Sequence, residues 1–191
     1  MKKILILTMT ILSGCAVFDG GKVPPTTLSS FDNNDDKKPT LSYSSLAMGG
    51  LSSTKELPES GQKLIEDEIF SELESSAYFS NIAKDDEHAD INLKVKLTNT
   101  GNPAALVPAV ITGLSLYIIP SWATDHFNLT ATAERKDGLK KEYALDDSTT
   151  LVQWLPMMFV FPFKNLSEIQ EVRKNMYRKV LSNMKDDGFF E

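Results

Sequence analysis

The most regular feature of the chain is a two-residue alternation of apolar and polar side chains. Between Asp90 and Thr98, Ile91, Leu93, Val95 and Leu97 fall on one side, and Asn92, Lys94, Lys96 and Thr98 on the other. His126–Glu134 repeats the pattern with Phe127, Leu129, Ala131 and Ala133 on the apolar side. Period two with a polar outer face predicts half-buried strands. Leu139–Leu145 alternates again, with Tyr143 and Leu145 inward. Asp137-Gly138 between these runs is a tight-turn sequence, so the two strands are expected to form a hairpin. Leu41–Met48 is a weaker strand pattern, setting Leu41 and Tyr43 against Ser42 and Ser44 and ending at Gly49-Gly50.

Two stretches change to the helical period. From about Ser60 to Tyr78, Ile65, Ile69, Leu73 and Ala77 recur every four residues, with Phe70 at the edge of the stripe. Lys63, Asp67, Ser71 and Glu74 lie opposite, Glu66 falls on the apolar side, and Ser60 is the expected N-cap. From about Leu166 to Asp187, Ile169, Val172, Met176, Val180 and Met184 form a stripe beside Tyr177, with Lys174, Arg178 and Lys185 toward water. Asn165 and Glu168 have capping-box spacing. Gly188 suits a left-handed C′ position, which would place Phe189 over Met184. This element order predicts a two-layer α+β domain: a four-stranded, largely antiparallel sheet with two amphipathic helices on one face.

Two segments fit neither period. No charge occurs in the 28 residues between Lys96 and Asp125, nor in the 16 between Asp147 and Lys164. Three placements compete for the first, whose center is 104–122: a buried core segment, a membrane span, or a surface that meets lipid or protein. Its length is near that of a span, but Pro108, Gly113 and Pro120 interrupt it. Alternation at Leu114, Leu116 and Ile118 suggests a strand at its end. The second segment, 151–163, is too short to span. Antiparallel pairing brings both to the open end of the hairpin, where Pro120-Ser121-Trp122 and Trp154-Leu155-Pro156 nearly mirror one another. An apolar lobe is expected there. Tyr117, Trp122, Trp154, Met158, Phe159, Phe161 and Phe163 are its candidate contact residues for a membrane or partner, since Trp and Tyr favor membrane interfaces.

The N-terminus gives an address. Lys2 and Lys3 precede an uncharged run, Ile4–Leu12, and then Leu12-Ser13-Gly14-Cys15. A positive head and a short apolar run make an export signal. The last four residues resemble the lipobox of bacterial lipoproteins. That resemblance implies cleavage before Cys15, the only cysteine, and acylation of its sulfur and new amine. Two or three acyl chains anchor a protein stably. Residues 1–14 then form the signal peptide, 15–39 a lipidated flexible tether rich in Gly, Pro, Ser and Asp, and 40–191 a periplasmic domain. A flexible segment of that length reaches roughly 25–30 Å. In enterobacterial lipoproteins Asp after the cysteine favors the inner membrane. By that resemblance Ala16 implies the outer membrane, facing the periplasm.

Composition narrows the chemistry further. One Cys and two His exclude a disulfide scaffold and make a thiolate or histidine-rich metal site a poor fit. Loss of Lys2 and Lys3 leaves 18 basic against 26 acidic residues, a net charge of −8. That balance argues against nucleic acid as a partner and against anchoring by anionic headgroups. No G-x-S-x-G, P-loop, G-x-G-x-x-G or H-E-x-x-H occurs. Ser121, Asp125 and His126 are too close in sequence for triad geometry. Lys84–His88 reads as a charged turn, without the spaced ligands of a calcium loop. No cofactor and no catalytic residue are expected.

The order of elements is similar to that of small periplasmic lipoproteins with two helices on a four-stranded sheet, the family of the lipopolysaccharide-assembly lipoprotein. From about Ser60 to Phe163, GLSLYIIPSW before the hairpin and WLPMM after it resemble uncharacterized lipoproteins of Gram-negative bacteria. The resemblance implies an address and a fold. The expected role is that of a non-catalytic accessory or assembly module, which contacts a membrane or envelope partner through 104–122 and 151–163. The rival is a carrier in which the uncharged runs line a pocket for an apolar ligand.

Overall fold

Strand alternation carries through to the backbone, and the strands run longer than their patterns. The computed structural model describes residues 15–29 and 38–190. In chain order its elements are β1 (Cys15–Asp19), β2 (Thr40–Gly50), β3 (Lys55–Glu56), α1 (Glu59–Ser76), β4 (Asn81–Lys84), β5 (Ile91–Gly101), α2 (Leu106–Leu114), β6 (Ser121–Arg135), β7 (Lys140–Gln153) and α3 (Ser167–Asp186). Short 3-10 turns occupy Pro103–Ala105 and Leu155–Phe159.

The α+β class holds, but the expected four strands become one sheet of seven among the described residues, in the order β1-β7-β6-β5-β2-β3, with β4 also paired to β2. The three additional strands, β1, β3 and β4, are two to five residues long, too short to show a period. The sheet is mixed. β5, β6, β7 and β1 pair antiparallel, whereas β2 runs parallel to both β5 and β4, because α1 makes the crossover between them. At the hairpin tip, Arg135 N–H donates to the Leu139 carbonyl and Gly138 N–H to the Arg135 carbonyl, both at 2.9 Å. Gly138 adopts φ 96°, which an L side chain rarely does.

The apolar sides of β5 and β6 meet the stripes of α1 and α3. Ile91, Leu93, Phe127, Leu129, Ala131 and Ala133 are buried against Ile65, Ile69, Leu73, Val172, Met176, Val180 and Met184. Helix ends depart from the sequence reading. α1 begins after Pro58 with no side-chain cap, and Ala77 lies beyond it in the left-handed region at φ 56°. The capping box of α3 does not close: Asn165 Oδ1 accepts from Ser167 N–H (2.8 Å), while Glu168 turns to Lys164 Nζ (3.1 Å). The expected C-terminal cap does form. Gly188 takes φ 77°, Phe189 N–H donates to the Met184 carbonyl (3.0 Å), and Phe189 is buried.

Helix charges also depart from expectation. Glu68 and Glu72 are buried on α1, and each receives an arginine from α3. Arg173 donates to both Glu68 oxygens (2.6 and 2.8 Å) and Arg178 to both Glu72 oxygens (2.7 and 3.1 Å). Arg178 and Lys174, expected toward water, thus line the helix–helix seam.

The 15–39 stretch, expected as a tether, is ordered structure over its described part. β1 pairs with β7, with Cys15 opposite Gln153 and Asp19 opposite Thr149, and Ala16 and Val17 are buried. Residues 20–29 are then pinned down. The buried Asp147 carboxylate accepts from Lys22 N–H (3.3 Å) and Val23 N–H (3.1 Å). Asn175 accepts from Thr26 N–H (2.7 Å) and donates to the Val23 and Pro24 carbonyls. The Tyr78 hydroxyl donates to the Ser29 carbonyl (2.8 Å). These long-range partners supply the ordering energy that local composition did not reveal. The expected signal peptide, residues 1–14, lies outside the described residues.

Candidate functional site

β5 stops at Gly101, opposite Asp125, while β6 starts four residues earlier at Ser121. Three chain segments converge on this overhanging end. The connection 102–120 enters β6, the connection 154–166 leaves β7, and β1 begins at Cys15.

The first connection starts with Asn102, whose side chain accepts from Ala104 N–H (2.9 Å), and with Pro103 at the first turn. α2 follows, and Leu114–Ile118, where alternation suggested a strand, is the last residue of α2 and the turn after it. Pro108 falls within its first turn, where a missing N–H costs no helical bond. Thr112 is the only buried residue of α2, and its hydroxyl donates to the Pro108 carbonyl (3.0 Å). The side chains of Leu106, Val107, Val110, Ile111 and Leu114 are exposed, Leu114 at 82%. Leu116 and Tyr117 then both take left-handed φ, 54° and 64°. Such a conformation costs roughly 1–2 kcal/mol per residue. It is held by Tyr117 N–H on the Thr112 carbonyl (2.8 Å) and by Ser115 Oγ accepting from Ile119 N–H (3.1 Å).

The Tyr117 carbonyl accepts from Leu155 N–H (2.8 Å), which stitches the second connection to the first. Register sets Trp122 opposite Val152, two positions from Trp154. Phe159 and Phe163 project to 75% and 80% exposure, whereas Tyr117, Met158 and Phe161 are half-buried. Of the seventeen exposed large hydrophobic side chains among the described residues, thirteen belong to this end. The core placement of 104–122 is therefore overturned: the segment is surface. Among the described residues no helix is long and apolar enough to cross a membrane.

Cys15 sits at the base of this end, half-buried. Burial pushes its thiol up, while a hydrogen bond with Gln153 acts in the opposite direction. Gln153 Oε1 in turn accepts from the Ser121 hydroxyl (3.1 Å). Ser121 is therefore committed to Gln153. His126 is exposed on the opposite face of β6 from Ser121 and Asp125, so the three do not converge. Burial raises the Asp125 carboxyl. Beneath α2 a cavity of about 210 Å³ is lined by Leu106, Ala109, Trp122, Leu151 and Gln153, with Asp125 at its edge. Among the described residues no group of three His, Cys, Asp or Glu could hold a metal ion.

The aromatic members of the surface were legible from residue type and uncharged context. The aliphatic tips on α2 were not singled out individually. Leu106, Val110 and Leu114 do carry a four-residue period, but Pro108 and Gly113 obscured it.

No family model and no curated protein matches the sequence. Among solved structures the chain path is similar to that of rare lipoprotein B from Shewanella oneidensis, with a TM-score of 0.44 and 10% identity over 78% of this chain and 95% of that one. It is also similar to a neuraminyllactose-binding hemagglutinin homolog from Helicobacter pylori, with a TM-score of 0.40 and 14% identity over 83% and 99%. A DUF4136 family protein from Bacteroides thetaiotaomicron gives a TM-score of 0.32 and 14% identity over 91% and 95%. At these scores and identities the likeness is distant and assigns no ligand, partner or activity to this chain.

Proposed function

We propose that this protein is a lipid-anchored cell-envelope module without catalytic activity. Acyl chains on Cys15 hold it on the outer membrane, facing the periplasm. It works by contact, through the apolar end built from 102–122 and 154–166, with the membrane or a component embedded in it. One observation carries the reading: the residue that the lipobox marks for acylation and the exposed apolar surface occupy the same end of the sheet, although they lie about a hundred residues or more apart in sequence. An apolar surface of this extent on a water-facing protein marks an interaction site.

The cavity under α2 supports a second reading, carriage of an apolar ligand. A neighboring cleft of about 410 Å³, lined by Ala104, Pro108, Pro120 and Trp122, lies within the ~300–1,000 Å³ common for small-molecule sites, so experiment separates the two readings. Intact-mass analysis of the membrane-extracted protein tests the anchor. Acyl mass on Cys15 and absence of residues 1–14 are expected, and an unmodified thiol overturns the reading. A photocrosslinker in place of Phe163, which is exposed and outside the cavity lining, tests the contact. Adducts to lipid or to an embedded envelope component are expected. Absence of any adduct, together with a lipid co-purifying at one per chain, would replace contact by carriage.

A further inference from the structure

We propose that the apolar end is a leaflet-insertion surface. α2, the turn at 115–120 and the segment 155–163 enter the boundary between headgroups and acyl chains, in the leaflet that holds the Cys15 lipid. The domain thereby stands upright on the membrane. The proposal rests on the anchored reading and names lipid as the occupant of the surface.

Position argues first. β1 begins at Cys15, opposite Gln153 and next to Trp154, and Ala16 and Val17 are buried behind it. There is no slack between the acylated residue and the folded domain, so acyl chains on Cys15 draw this end of the sheet against the headgroups. The Asp137-Gly138 tip then points into the periplasm, roughly 45 Å away along β6 at ~3.4 Å per residue.

Side-chain type argues next. Leu114, Leu116, Phe159 and Phe163 are the most exposed, Trp122 on β6 and Trp154 just after β7 are exposed beside them, and Tyr117 is half-buried. Exposed aliphatic and Phe side chains beside two Trp and a Tyr are the composition of a surface that meets a bilayer interface. Charge points the same way. Neither 97–124 nor 148–163 carries an ionizable Lys, Arg, Asp or Glu. Protein interfaces favor Arg at their energetic center, and neither segment contains one. Consecutive left-handed Leu116 and Tyr117 spend backbone strain on keeping an apolar turn facing outward.

The chain contains two tryptophans, and both lie in this surface, so they report on it without labels. The protein extracted from native membranes is reconstituted into phosphatidylethanolamine–phosphatidylglycerol vesicles, with and without lipids brominated on their acyl chains. Flotation with the vesicles, blue-shifted emission and severalfold quenching by bromine are expected, unchanged at high salt because the contact is not ionic. In Leu114→Asp/Leu116→Asp the quenching should be lost while flotation persists through the acyl anchor. Both side chains are exposed, and an unchanged melting temperature verifies the fold. Flotation without quenching overturns insertion and leaves the anchor standing. A shift to dimer with unquenched tryptophan does the same, in favor of a second copy as occupant. Failure to float, with a free Cys15 thiol, overturns the anchored reading itself.

Discussion

At the scale of single residues, acid stability and turn geometry are set by a few named groups. Thr40 N–H (2.9 Å) and its hydroxyl (2.8 Å) both donate to Asp90 and hold its carboxyl below the ordinary 3.8. The Tyr143 hydroxyl (2.9 Å) does the same for Asp187, with help from Lys141. A carboxyl whose folded pKa is depressed stabilizes the protein above its unfolded value, and that stability is lost as pH falls through the folded value. The window therefore lies below 3.8, and the melting temperature of Asp90→Asn should fall less steeply than wild type on acidification through that range. At Gly138, φ 96° penalizes any side chain although the space is open. Gly138→Ala should cost ~1 kcal/mol, or about 2–4 °C of melting temperature in a domain of this size. This glycine, and Gly188 with its Phe189 cap, were legible because the constraint is local. Asp147 was not. Its role as acceptor for Lys22 and Val23 N–H joins positions 125 and 124 residues apart.

At the scale of elements, the long strands and both amphipathic helices follow from periodicity, because each buries one face against the other layer. The carboxylates of α1 show where that logic ends. A stripe identifies the face toward the sheet but not the flank toward a second helix. Only the packing of α1 beside α3 turns Glu68 and Glu72 inward, with Arg173 also lying 5.8 Å from the Phe127 ring. Arg173→Met should destabilize by about 3–5 kcal/mol in urea unfolding, since it strands a buried carboxylate. Adding Glu68→Leu should recover most of that loss, because the pair's desolvation cost disappears with it. A double mutant as unstable as the single would show that Arg173 acts through packing alone.

At the scale of the molecule, one end departs from the rule that apolar side chains go inside. If Leu114, Leu116 and Phe163 are surface, Leu114→Ser/Leu116→Ser/Phe163→Ser in an unacylated Cys15→Ser background should change unfolding free energy by no more than ~0.5 kcal/mol per site. Solubility should rise. Phe127→Ala, in the buried layer, should cost about 3–5 kcal/mol in the same assay. A triple variant as damaged as the core variant would mean that these side chains pack in solution.

Residue order alone determined the period of each long element, the α+β class, the hairpin and the charge-free character of two segments, because these depend on neighbors within a few positions. It also marked Cys15 through a contiguous motif. The tertiary structure decided whether the charge-free segments were core or surface, since burial depends on what other elements cover. It also turned the expected tether into an edge strand. β1 has five residues and no period of its own, and it exists because β7 offers an unpaired edge and Lys164 a carbonyl to its far side. That pairing, made over more than a hundred residues of chain, sets Cys15 beside the apolar end.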